Sequence, residues 1–129
     1  MRKTLNYPML KNSLRRGGLL LALLLVFGFS SGCDVYGQTM KRMISECVDA
    51  INSGSGDWDY HIKAITDVRN TLADFAKETS DPMLKAELVY HGDTGCAVLL
   101  QYLEYMKSGK KLTWQVSPET LFGNLWNAF

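Results

Sequence analysis

Two histidines are the side chains best suited to acid–base chemistry, and each has carboxylates close by in the sequence. His61 follows Asp59 by two positions, and His91 lies between Glu87 and Asp93. A histidine paired with a carboxylate can serve as a general base. No serine or cysteine nucleophile accompanies either histidine in a recognisable motif, so we predict no catalytic site and expect both histidines at or near the surface.

The triplet Asp93-Thr94-Gly95 resembles the catalytic triplet of aspartic proteases. That chemistry requires two carboxylates sharing one proton, each on its own loop of a β framework. This chain has one such triplet, within a helical pattern. We therefore expect helix capping or glycine packing here rather than proteolysis.

Cys33, in the stretch FSSGCDVYG, is a further chemically distinctive residue. An uncharged apolar run from Leu19 to Phe29 precedes it, and five basic residues lead that run with no acidic residue before Asp34. A basic segment, then a short apolar core, then small residues is the order found in a secretory signal peptide. The run is about half of the roughly 20 residues that a membrane-spanning helix needs.

Residues 31–33, Ser-Gly-Cys, resemble the lipobox of bacterial lipoproteins, with Ser30 where leucine is usual. The resemblance covers residues 1–34. It implies attachment of diacylglycerol to Cys33, cleavage before it and acylation of its new amino group. Such acyl chains anchor a protein stably, because each buried methylene contributes about 0.8 kcal/mol.

Asp34 follows the lipidated cysteine, and in enteric lipoproteins an aspartate there marks retention in the inner membrane. The resemblance therefore implies a periplasmic domain anchored in the inner membrane. The alternative is that Asp34 is only a linker residue and the protein is anchored in the outer membrane. We expect a removed signal peptide over residues 1–32, a lipidated anchor and linker over 33–35, and a periplasmic domain over 36–129. Met9 is an alternative start to Met1.

Cys47 and Cys96 are the remaining cysteines. In an oxidising compartment two cysteines predict one disulfide, and its loop of about 50 residues would contribute about 4 kcal/mol in the chain-entropy model. Two buried free thiols are the alternative. No cysteine or histidine pair has the spacing of zinc ligands, so we predict no metal site and no cofactor.

The net charge after the predicted signal peptide argues against nucleic acid and anionic lipid headgroups as partners. Of 14 basic residues, five precede residue 33, which leaves nine against 13 acidic residues and a net charge of −4. A mildly acidic domain lacks the basic patch that nucleic acid or anionic headgroups require. The expected partners are the membrane, through the lipid anchor, and another envelope protein.

Apolar residues recur every three or four positions, which predicts helices over 36–52 and 58–78. Asp57 is placed to cap the second helix, and Asp81 before Pro82 predicts the start of a third. The apolar register continues to Met106 and favours one long or kinked helix. A turn at residues 91–95 is the alternative, because glycine is unfavourable in a helix.

Lys107 and Gly109 end that helix, residues 112–116 are expected to form an extended loop, and Ser117 caps a terminal helix over 118–129. The predicted fold class is all-α. It is a small antiparallel bundle of three long helices plus a short C-terminal helix, braced by one disulfide.

Tyr102, Tyr105 and Trp114 are the candidate partner-binding residues, because tyrosine and tryptophan are enriched at interface hot spots. Packing in the core or at the membrane interface is the alternative. The predicted function is a non-catalytic, membrane-anchored binding module of the exclusion, immunity or secretion-accessory type. The alternative is a carrier of a small apolar ligand or lipid, in a cavity lined by Met40, Met43 and the glycines at 92 and 95.

Overall fold

The computed structural model describes the backbone of residues 31–129 and the side chains from Tyr36 onward. Over that part the chain is helical and contains no strand, which confirms the all-α prediction. Residues 1–30, and with them most of the predicted signal peptide, lie outside the described residues, as do the side chains of Cys33 and Asp34. None of the described helices is long and apolar enough to span a bilayer.

The first two helices are α1 (Ser31–Ser53) and α2 (Trp58–Glu78). Because α1 begins at Ser31, residues 33–35, predicted as a linker, have helical backbone. Asp57 caps α2 as predicted, since its Oδ1 accepts a hydrogen bond from the Tyr60 amide at 3.1 Å. Most of the predicted inward faces of both helices are buried, while Tyr36, Trp58 and Ile62 at their N-terminal ends are only partly buried. The buried residues are Met40, Met43, Ile44, Cys47, Val48 and Ile51 on α1, and Ile65, Val68, Leu72, Phe75 and Ala76 on α2.

The next helical stretch has three parts: α3 (Pro82–Glu87), a π-helical segment (Leu88–Asp93) and α4 (Thr94–Lys107). All residues from Pro82 to Lys107 have helical backbone, so the alternative of a turn at 91–95 is wrong. A third long α-helix is not confirmed either, because the π segment divides it. Asp81 caps α3 as predicted and accepts hydrogen bonds from two amides, Met83 N at 2.9 Å and Leu84 N at 3.3 Å.

The spacing of the apolar residues accounts for the π segment. Leu84, Leu88, Gly92 and Cys96 follow one another by four residues. At 3.6 residues per turn, each step of four overshoots a full turn of α-helix by about 40°. A π-helix has wider turns, with bonds from i to i+5, and it absorbs this drift. Leu88, Gly92 and Cys96 are consequently all buried.

The C-terminal segment forms two short helices, α5 (Pro118–Phe122) and α6 (Asn124–Ala128), so the prediction of one terminal helix is wrong. The break is at Gly123, whose φ of +58° and ψ of −137° are readily adopted only by glycine. Ser117 caps α5 as predicted, accepting a hydrogen bond from Thr120 N at 3.4 Å. Residues 112–116 lie in a loop as predicted, within the stretch 108–117 that contains no helix.

Side chains of other helices cover the glycines at 92 and 95. A Cβ on Gly95 would lie 2.7 Å from the ring of Phe122, and one on Gly92 would lie 3.1 Å from Leu72. This glycine patch is therefore already occupied, and Met40 and Met43 are fully buried in the core. The cavity expected of a carrier is absent from this place.

The disulfide predicted between Cys47 and Cys96 is not found, because both are free thiols in the core. Desolvation by burial raises the pKa of Cys47 to about 12 and also raises the pKa of Cys96. A neutral buried thiol behaves as a small apolar side chain. The thiolate is the reactive species, so this packing keeps both cysteines unreactive.

Candidate functional site

The three aromatic residues predicted to bind a partner are Tyr102 and Tyr105 on α4 and Trp114 in the loop after it. The rings of Tyr102 and Trp114 are in edge-to-face contact, with centroids 6.0 Å apart and planes at 75°. Trp114 is 54% exposed, and Tyr105, three residues further along α4 than Tyr102, is 42% exposed. We call these three residues the aromatic surface.

Asn52, at the end of α1, holds the loop that carries Trp114. Its Nδ2 donates a hydrogen bond to the Val116 carbonyl at 3.0 Å, and its Oδ1 accepts one from the Val116 amide at 2.7 Å. Val116 itself is buried. The loop is therefore fixed two residues from Trp114, and the exposed indole is presented on anchored backbone.

A shallow depression of about 110 Å³ lies beside Trp114. It is small compared with cofactor pockets and suits a single side chain of a partner. Elsewhere on the aromatic surface, Lys110 Nζ lies 5.5 Å from the centroid of the Tyr105 ring, a cation–π contact. The depression is lined by Tyr102, Trp114, Gln115, Val116, Ser117, Thr120 and Leu121.

The two histidines lie in different environments. His91 is at the surface, as predicted, with its Nδ1 2.5 Å from Glu87 Oε1. His61 is only 7% exposed, so its predicted surface position is wrong. Its burial lowers its pKa, and its Nδ1 has no hydrogen-bond partner within the described part of the chain. The spacing could have placed it inside, because residues 61, 65, 68 and 72 share one helical face.

Asp93, from the triplet that resembles a protease motif, pairs with Arg69 on α2. Arg69 Nε and Nη2 donate hydrogen bonds to Asp93 Oδ1 and Oδ2 at 2.6 and 3.2 Å. These hydrogen bonds hold the pKa of Asp93 below its usual range. An ionised carboxylate in a bidentate pair accepts a proton poorly, and its role here is to tie the π segment to α2.

A second surface, along α3 and the π segment, was missed by sequence reasoning. Met83, Val89 and Tyr90 are exposed there, which is three of the six exposed large hydrophobic side chains in the described part of the chain. Beside them a groove of about 270 Å³ lies between α2 and the π segment. We call it the π groove. The sequence feature that could have indicated this surface is the pair Val89 and Tyr90. These are large apolar residues that lie outside the four-residue spacing of Leu84, Leu88 and Gly92.

Within residues 36–129, no group of three or more His, Cys, Asp or Glu side chains is placed to hold a metal ion. Comparison with protein-family models, curated proteins and solved structures found no match to this chain.

Proposed function

We propose that this protein is a non-catalytic, membrane-anchored lipoprotein that binds another envelope protein through its aromatic surface. The observation that carries the proposal is the half-exposed Trp114, held on a loop that Asn52 fixes by two hydrogen bonds. Exclusion, immunity and secretion-accessory proteins are the classes that such a module fits.

The energetics favour a protein partner at Trp114. An aromatic side chain can bury roughly 150–250 Å², and about half of that is still exposed here. Covering this area would contribute about 2–3 kcal/mol. A side chain whose loop is already ordered also loses less entropy on binding. Tyr102 supports the indole from one side, so the surface needs little rearrangement.

Capture in intact cells tests the binding proposal. A photoreactive residue replaces Gln115, which lines the depression and is not part of the aromatic surface. We expect one envelope protein to be cross-linked reproducibly. Trp114→Ala or Tyr105→Ala should abolish this capture, because each removes an exposed ring.

Tyr90→Ala is the matched control, since Tyr90 is an exposed tyrosine on the π segment, 12 residues before Tyr102 along the helical stretch. Capture that survives Trp114→Ala, or that Tyr90→Ala reduces equally, would overturn the assignment of this surface.

The anchor has a separate test. The proposed lipidation site is Cys33, and Asp34 favours the periplasmic face of the inner membrane. Cys33→Ala should abolish labelling with radioactive palmitate and leave the precursor uncleaved, whereas Asp34→Asn should keep the label. Unchanged labelling and processing in Cys33→Ala would exclude lipidation at this residue. Membrane fractionation of Asp34→Ser then tests sorting, with a shift to the outer membrane expected.

A further inference from the structure

The π groove has apolar walls that two helical elements supply. Ala73 and Ala76 of α2 face Leu88 and Val89 of the π segment. The two alanines leave space between the elements, and Ala73 and Val89 are exposed, so the groove opens to solvent. Its volume of about 270 Å³ is near the lower end for ligand sites. That size suits a single hydrocarbon chain.

Positive charge lies beside these walls. Lys77, in the last turn of α2, and Lys85, on α3, both line the groove. Both lysine side chains are exposed to solvent. The third charged lining residue, Asp93, is neutralised by its bidentate pair with Arg69. The groove is thus locally cationic, although residues 33–129 together carry a net charge of −4.

We propose that the π groove binds a single-chain anionic amphiphile of the fatty-acid type. The hydrocarbon chain lies between Ala73, Ala76 and Leu88, and the anionic head group lies near Lys77 and Lys85. Burial of the chain provides most of the affinity, and the two ammonium groups select an acid over a neutral amphiphile. This site is separate from the aromatic surface, so either proposal can fail without the other.

The test uses membranes containing the full-length protein and a photoreactive, alkyne-tagged fatty acid, with the matching fatty alcohol as the uncharged probe. After illumination, peptide mapping separates groove labelling from any acyl group at Cys33. We expect light-dependent labelling of peptides covering residues 73–89 by the acid, and at least several-fold less by the alcohol. Equal labelling by acid and alcohol would overturn the proposal.

Two pairs of variants locate the site. Ala73→Phe fills the groove from an exposed position and should reduce labelling by more than tenfold, while Ala86→Phe, exposed on α3 outside the groove, should not. The double variant Lys77→Gln/Lys85→Gln should weaken labelling by the acid about tenfold, because two partly exposed ion pairs with the head group would be lost. Lys63→Gln is the matched control on α2. Unchanged labelling in Ala73→Phe would exclude the groove.

Competition identifies the head group. Unlabelled fatty acid and unlabelled lysophosphatidate are added before illumination, and the stronger competitor shows whether a carboxylate or a phosphate is preferred. Competition by neither overturns the proposal. A chemical cross-link between two copies through residues 73–89, lost in Ala73→Phe and seen without fatty-acid labelling, would also overturn it and assign the groove to self-association.

Discussion

Phe122 packs against Gly95 so closely that a Cβ at position 95 would lie 2.7 Å from Cε1 and 2.8 Å from Cδ1 of the ring. Phe122 is fully buried. The missing side chain at position 95 is therefore what allows α5 to close the core over α4. This contact joins the C-terminal segment to the helix that carries Tyr102 and Tyr105.

Gly95→Ala should lower the free energy of unfolding by about 1–2 kcal/mol. Overpacking costs about 1–3 kcal/mol, and the better helix propensity of alanine offsets up to about 1 kcal/mol. Urea denaturation measures the change. Gly92→Ala should cost less, because the nearest atoms to a Cβ there would be methyl groups of Leu72 and Leu125 at 3.1 and 3.3 Å. An equal or larger loss in Gly92→Ala would contradict this ranking.

Asn52→Ala should destabilise the domain by about 1–3 kcal/mol, because it leaves the Val116 amide and carbonyl without their partner. Hydrogen exchange at the Val116 amide should become faster. Asn52→Asp keeps an acceptor for the amide but has no donor for the carbonyl, so its effect should be intermediate. If Val116 exchanges equally slowly in Asn52→Ala, the loop is held by other contacts.

His61 should make stability fall as the pH drops below about 6.5, the ordinary pKa of histidine. Burial lowers its pKa in the folded state, so the unfolded chain binds more protons in this range and protonation favours unfolding. His61→Phe should remove this part of the pH dependence. Urea denaturation of both proteins at pH 5 and pH 7.5 provides the comparison. If the difference in unfolding free energy between the two proteins is the same at both pH values, His61 does not contribute to the pH dependence.

Cys47 and Cys96 should resist alkylation in the folded protein at pH 8 and react fully once it is unfolded without reductant. Burial holds the pKa of Cys47 near 12 and raises that of Cys96, so little thiolate forms. Mass spectrometry after iodoacetamide treatment counts the labels. Labelling of the unfolded chain only after reduction would instead indicate a disulfide.

Local sequence signals predicted most of the helices and their starts. Asp57, Asp81 and Ser117 all cap the helices that follow them, because capping depends on residues within three positions. The π segment and the break at Gly123 were missed. Both depend on which side chains the chain must present to the core, and this is decided by packing between elements distant in sequence.

The candidate sites were predictable only in part. The residue types of Tyr102 and Trp114 indicate an interface, and the structure brings their rings together. Nothing near Asn52 indicated a partner 64 residues away. Lys77 and Lys85 lie on different helices, so only the fold shows that they share a groove. The disulfide prediction failed because it was inferred from a compartment and a cysteine count rather than from packing.

The π segment also limits how this helical stretch can change in length. Deleting one residue between 89 and 91 would leave seven positions from Leu88 to Cys96, which is within about 20° of two full turns of α-helix. A continuous α-helix would then replace the wide turn and keep Cys96 and Leu99 toward the core. Inserting a residue into α4 instead has no such wide turn to remove, so it should turn every later residue of that helix by about 100° and be rejected.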